Sequence, residues 1–174
     1  MTFVMLNPST AGARADDATI RRCRGFAERE GCTSIEVVNL FALVSTDPQG
    51  LLTDPDPVGF ACDQVIVNAC TGREDRTVLV AWGANAGHPL LRPRALQVLE
   101  LLDRHQVPCQ ALGITADGYP AHPLRLRKDA QLRPGPGAPP SRREPHKDTP
   151  RAARQAPAHS RQAPRRGRVL PPDQ

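Results

Sequence analysis

The chain has 174 residues and a net charge of +5, with one Trp, one Tyr and four Phe. No apolar run is long enough to span a bilayer and no leader-like segment opens the chain, which points to a cytoplasmic protein with no membrane partner. The charge is uneven: residues 131–174 hold ten Lys or Arg and three acids, and residues 1–130 hold thirteen basic and fifteen acidic side chains. The tail also holds ten of the nineteen prolines and no aromatic residue. Such a composition cannot bury enough apolar surface to offset the entropy of ordering. The expected organisation is one α/β domain over residues 1–132 and a disordered Pro/Arg-rich tail over residues 133–174. Cys23, Cys32, Cys62, Cys70 and Cys109 are odd in number and form no Cys-x-x-Cys pair, so they read as reduced thiols used for packing. His88, His105, His122, His146 and His159 have no metal-ligand spacing, and no glycine-rich phosphate loop is present. Neither a metal nor a cofactor is expected.

Residues 2–6 are a short apolar run ending at Asn7-Pro8-Ser9-Thr10. Pro8 pushes Asn7 to extended geometry, so the run reads as a buried strand rather than a helix segment. Asn7, Ser9 and Thr10 then lie at the carboxyl end of a strand, where open parallel sheets bind ligands; the alternative is a plain turn and helix cap. Asp16-Asp17 opens a helix to about Glu30, with Ile20, Cys23 and Phe26-Ala27 on one face and Gly31 as its stop. Arg21, Arg22 and Arg24 spread over its other faces as solvated surface, with phosphate contact as the alternative. Residues 34–41 are a β-branched second strand that carries Asn39 near its carboxyl end. A buried amide there must be hydrogen-bonded, by a structural partner or by a ligand.

Residues 42–56 exceed the usual strand-to-helix joint, which favours a lid. Pro57 starts the next helix, which ends near Gly72 and carries Val58, Ala61, Cys62, Val65, Ile66 and Ala69 at helical spacing. Residues 77–82 form a third strand with no polar alternation, as for a strand covered on both faces. A small-residue loop over 83–89 leads to a helix over 91–105, with Ala95, Val98, Leu99 and Leu102 inward. Residues 108–114 are the fourth strand, followed by an Asp117-Gly118 turn. The alternation predicts a three-layer α/β/α fold around a four-stranded, mostly parallel sheet. Its loops would present Asn7-Pro8-Ser9, Asn39, Trp82-Gly83 and His122-Pro123-Leu124 at one rim.

The segments 3–11, 16–22, 38–42, 46–48, 81–83 and 122–124 occur in an order that resembles the bacterial domain of unknown function family numbered 1643, over residues 2–132. That resemblance by itself implies no activity. The chain departs from the family pattern at Gly12, where an Asp is usual, and at Ala18, where a Pro is usual. Family members carry a segment before the first strand and stop soon after the stretch matching residues 129–134. An internal start at Met1 and a shifted reading frame near Pro134 are the expectations these departures raise.

A more distant resemblance is to the uracil-DNA glycosylase superfamily. Asn7-Pro8, Asn39, Trp82-Gly83 and His122-Pro123-Leu124 match its motifs in identity, order and placement. The resemblance implies a uracil-DNA glycosylase-like fold and a nucleobase-recognising N-glycosylase acting on DNA, RNA or a nucleotide. It implies that Asn7 places the attacking water, His122 donates to a base carbonyl and Asn39 reads a base edge. Pro8, Ser9, Thr10, Trp82, Gly83 and Pro123 would line the substrate, and Phe41 would supply a stacking ring. An amide cannot take a proton from water as a carboxylate can, so Asn7 implies a slower enzyme than an Asp would. Plainer readings stand beside these: a structural amide for Asn39, a core residue for Trp82, helix-starting acids for Asp16 and Asp17. A non-catalytic nucleotide or nucleic-acid binding module and a truncated inactive family member are the rival readings.

Overall fold

Two-residue alternation along the first strand decides which helix covers which face of the sheet. The computed structural model describes residues 1–9, 17–45, 47, 49–72 and 76–136. In chain order its elements are β1 (Thr2–Met5), α1 (Ala18–Arg29), β2 (Glu36–Asn39), α2 (Gly50–Thr53), α3 (Cys62–Thr71), β3 (Val78–Val80), α4 (Arg92–Arg104), β4 (Cys109–Ala111) and β5 (Arg133–Pro134). Phe3 and Met5 of β1 pack with Cys23 and Phe26 of α1. Val4 and Leu6 face the other way, toward Ile66 and Ala69 of α3 and Val98 and Leu102 of α4. β3 repeats the pattern, with Leu79 on the α1 side and Val78 and Val80 on the α3–α4 side.

The strand order is β2-β1-β3-β4-β5. β1 runs parallel to β2, with Met5 beside Asn39, and parallel to β3, with Val4 beside Val80. β3 and β4 are also parallel, whereas β5 is antiparallel to β4. The α/β class expected from the sequence is present, but the sheet is mixed and five-stranded rather than four-stranded. The fifth strand comes from Arg133 and Pro134, and the Gly135 amide extends it by donating to the Cys109 carbonyl at 2.9 Å. Two residues ending in a proline carry no strand signal; the open edge of β4 supplies the pairing partner. The described residues all belong to one compact unit. Residues 137–174, most of the expected tail, lie outside the described residues.

Helix starts follow from competition for backbone groups. Asp17 is the N-cap of α1: its Oδ1 accepts from the Thr19 amide at 2.7 Å, so it caps the helix rather than sitting in the first turn. α3 begins at Cys62, not at Pro57 as the spacing predicts. The Pro57 and Val58 carbonyls accept from the Leu43 and Ala42 amides at 3.1 and 3.2 Å, and Asp56 Oδ1 takes the Gly59 amide at 3.0 Å. Gly59 adopts φ +77°. Those bonds occupy groups that a helix would need. The late start puts Cys62, Ile66, Ala69 and Cys70 inward and leaves Val65 52% exposed. The 42–56 connection contains α2, whose Leu51 is anchored in the core. All five cysteines are free thiols; burial pushes Cys23 and Cys70 up to about 12 and Cys109 to about 11. Among the described residues no helix is long and apolar enough to cross a membrane.

The register of α3 is open to a direct test by urea unfolding. Ile66→Ala should cost about 2–5 kcal/mol, because it hollows a filled core position. Val65→Ala should stay within about 0.5 kcal/mol, because its side chain faces solvent. Equal losses would place both residues on the buried face.

Candidate functional site at the carboxyl rim

The chain leaves β1 for β2 on one side and later returns to β3 on the other. The loops at the carboxyl ends of β1 and β3 therefore diverge, and the crevice between such loops is where open α/β sheets bind ligands. Asn7-Pro8-Ser9 comes from the first of these loops, Trp82-Gly83 from the second, and His122 from the segment after β4.

Asn7 is half-buried. Its Nδ2 donates to the Ser45 carbonyl at 2.7 Å and to the Pro8 carbonyl at 3.1 Å. The Ser45 amide donates back to the Pro8 carbonyl at 3.0 Å. The loop after β1 is thus clamped to the loop after β2, and Asn7 Oδ1 accepts from none of the described residues. Ser9 Oγ donates to Asp17 Oδ2 at 3.3 Å, so the acid that caps α1 also holds the β1 loop.

His122 is half-buried and caps the 3-10 turn Pro123–Arg125 through Nδ1, which accepts from the Leu124 amide at 3.3 Å. A neutral imidazole that accepts at Nδ1 carries its proton on Nε2. Burial, with the charge of Arg125 adding to it, lowers the His122 pKa below its ordinary 6.5 against the opposing pull of Asp17. The ring is therefore neutral at pH 7 and offers an Nε2–H donor. Pro123 is buried behind it. Gly83 has φ +80° and ψ 177°, and its amide donates to the Pro120 carbonyl at 2.9 Å. A Cβ on Gly83 would lie 3.1 Å from the His122 Cβ, so the missing side chain lets the β3 loop and the His122 segment touch.

Asn39 is half-buried at the end of β2. Its carbonyl receives the Cys62 thiol at 3.3 Å, and its side-chain amide bonds to none of the described residues. It lines a cavity of about 310 Å³ together with Pro8, Phe41, Gly59, Phe60 and Val65. The structure thus gathers Pro8, Asn39 and Phe41 at one cavity, and Ser9, Gly83 and His122 in a second group around Asp17. Phe41 and Trp82 are each 2% exposed and belong to the hydrophobic core, so neither ring lies open at the rim. The Trp82 Nε1 is buried without a partner among the described residues. Thr10 and Asp16 lie outside the described residues.

Three residues of this region escape sequence reasoning. Ser45 acts through its carbonyl, so its side chain gives no signal. Phe60 is fully exposed beside the Asn39 cavity; an aromatic standing off the apolar helical spacing of residues 58–69 was the available clue. Arg94 is buried, donates from Nε to the Leu40 carbonyl at 2.8 Å and pairs with Asp63 at 2.6 Å. It ties α4 and α3 to the end of β2. Among the described residues no group of three or more His, Cys, Asp and Glu side chains could hold a metal ion.

Gly83→Ala should destabilise the chain by about 1–3 kcal/mol, because the φ and ψ of Gly83 are open essentially to glycine alone. Chemical denaturation checks it, and a neutral result would mean that the loop relaxes away from His122. A second expectation concerns pH. The folded chain resists protonating His122, so the unfolded chain binds more protons between the folded pKa and 6.5. The stability contribution is complete above pH 6.5 and is lost as pH falls from there through the folded pKa. His122→Asn keeps an acceptor for the Leu124 amide and does not titrate, so it should flatten that part of the Tm–pH curve. An unchanged slope would assign the acid loss to other groups.

No curated protein and no solved structure matches the chain. The family model described as protein of unknown function (DUF1643) matches residues 1–124, most of the compact unit. The chain therefore belongs to the DUF1643 family.

Proposed function

We propose that the chain recognises a nucleobase at the carboxyl rim of its sheet and hydrolyses the N-glycosidic bond of that nucleotide. The observation that carries this reading is the state of His122, a neutral ring whose Nδ1 is engaged by the Leu124 amide and whose Nε2–H is left to donate. In the reaction the bond between the sugar and the base breaks, and its electron pair stays on the base. Charge builds on the base carbonyl, where a fixed donor from a half-buried site is most effective. Asn7 Oδ1 is the acceptor that holds a water, because Nδ2 is occupied by the Ser45 carbonyl. The water oxygen adds to the sugar carbon, and its proton ends on the released base. The side-chain amide of Asn39 has one donor group and one acceptor for a base edge. Membership of the family says nothing of the reaction.

A second reading has its own support. Asn7 cannot take a proton, and Asp17 is engaged by the Thr19 amide and Ser9. Among the described residues, the acid that the rim holds is already engaged, which suits recognition without cleavage. The experiment is a base-release assay on single- and double-stranded oligonucleotides carrying uracil, hypoxanthine or xanthine, read by alkaline cleavage. The wild-type chain should release base, and His122→Asn should slow release about 10²–10³-fold with its melting curve intact. Asn7→Ala should lose release while binding falls little. No release from a folded chain, with saturable nucleoside binding lost in Asn39→Ala, would favour the binding module.

A further inference from the structure

Phe60 stands fully exposed on the turn before α3. The turn is braced on both sides of it. Asp56 Oδ1 takes the Gly59 amide at 3.0 Å, the Gly59 carbonyl takes the Cys62 amide at 3.4 Å, and the Ala61 carbonyl takes the Val65 amide at 3.0 Å. Gly59 has φ +77°, and a Cβ there would lie 3.1 Å from the Ala42 Cβ. Glycine thus lets the turn close on the loop after β2. Local bonds set the position of Phe60 and leave its ring in water, where an apolar surface gains nothing.

That position is beside the cavity of about 310 Å³ that Asn39 lines. β2 is an edge strand of the sheet, so the cavity opens along a strand with no neighbour on its outer side. Pro8, Val37, Ala42 and Val65 join Phe60 in its wall, and no charged residue lines it among the described residues. Neither His122 nor Asp17 reaches it. This lining selects an occupant. With no ion in the wall, charge on a ligand must stay outside in water. An alkyl chain would fill the space but leave the donor and acceptor of the Asn39 amide without partners. A nucleobase has flat faces for Phe60 and Val65, and an edge with adjacent donor and acceptor for the amide.

We propose that this cavity is a nucleobase subsite in its own right, with Phe60 stacking on the ring, Asn39 reading its edge, and sugar and phosphate left outside. It rests on the function proposed above only for the ligand being a nucleobase; neither His122 nor hydrolysis enters it.

The test is an NMR titration of the ¹⁵N-labelled full chain with uridine and with adenosine, each beside its edge-methylated counterpart, 3-methyluridine or N6,N6-dimethyladenosine. With at least one of the two nucleosides, saturable shifts should appear at the amides of residues 37–42 and 59–65, and its methylated counterpart should bind more weakly. Phe60→Ala should weaken binding about 5- to 100-fold. Phe60→Tyr should restore it because the ring face returns; Phe60→Leu should not, because only apolar bulk returns. These variants should leave Tm unchanged, since the side chain lies in solvent. Asn39→Ala should weaken binding about 10-fold. A 5′-monophosphate should bind no more tightly than its nucleoside, and added salt should leave the affinity unchanged. No saturable shift with either nucleoside, equal binding of the methylated counterparts, or indifference to Phe60→Ala would overturn the proposal. So would self-association that Phe60→Ala abolishes, in place of nucleoside binding. Binding at the cavity without base release would support the proposal and count against hydrolysis alone. Base release with no shift at residues 37–42 and 59–65 would overturn it and leave hydrolysis standing.

Discussion

β1 is hydrogen-bonded in parallel on both of its edges, to β2 and to β3, and is covered on both faces. At its carboxyl end this central strand runs out into the loop that carries Asn7. The chain departs to opposite sides of β1, so the loops there separate instead of packing together. A one-residue slip would exchange Phe3 and Met5 with Val4 and Leu6 between layers of different depth. The register of β1 therefore fixes both the core and the position of Asn7, two residues past the strand. The Asn7 amide then carries that order sideways, by gripping the Ser45 carbonyl of the next loop at 2.7 Å.

The polar residues at the rim divide their capacity in the same manner. Asn7 spends its nitrogen on two carbonyls and keeps its oxygen. His122 spends Nδ1 on the turn amide and keeps Nε2. Asp17 caps α1 with one oxygen and takes the Ser9 hydroxyl with the other. Each side chain is aimed by its own structural bond, which leaves its remaining polar atom in a fixed position. Gly83 completes the arrangement by subtraction, since any Cβ there would press on His122.

Much of this was legible in the chain, because it rests on local rules. Pro8 excludes helix at Asn7, the apolar run over 77–82 requires a strand covered on both faces, and Asp17 precedes a periodic apolar face. Where the reading went astray, a distant partner outbid a local pattern. Pro57 is a sound helix start by local chemistry, yet the Ala42 and Leu43 amides claim the carbonyls of Val58 and Pro57. Phe41 follows Asn39 closely enough to suggest a ring at the rim, but packing draws it into the core. Phe60, off the apolar spacing, is the aromatic left outside.

The α/β class, the strands β1 to β4 with their loops at one rim, and the family are all readable from residue order alone. Those follow from hydrophobic period, proline geometry and motif order, all of which act within a few residues or along a single line. The fifth strand, the start of α3, the tautomer of His122 and the split of the candidate residues between two groups emerge in three dimensions. Three of these depend on a hydrogen bond or a packing neighbour far away in the chain, and the His122 tautomer rests on the Leu124 amide two residues on. Arg133 becomes a strand because β4 has an open edge, and His122 stays neutral because burial outweighs the charge of Asp17.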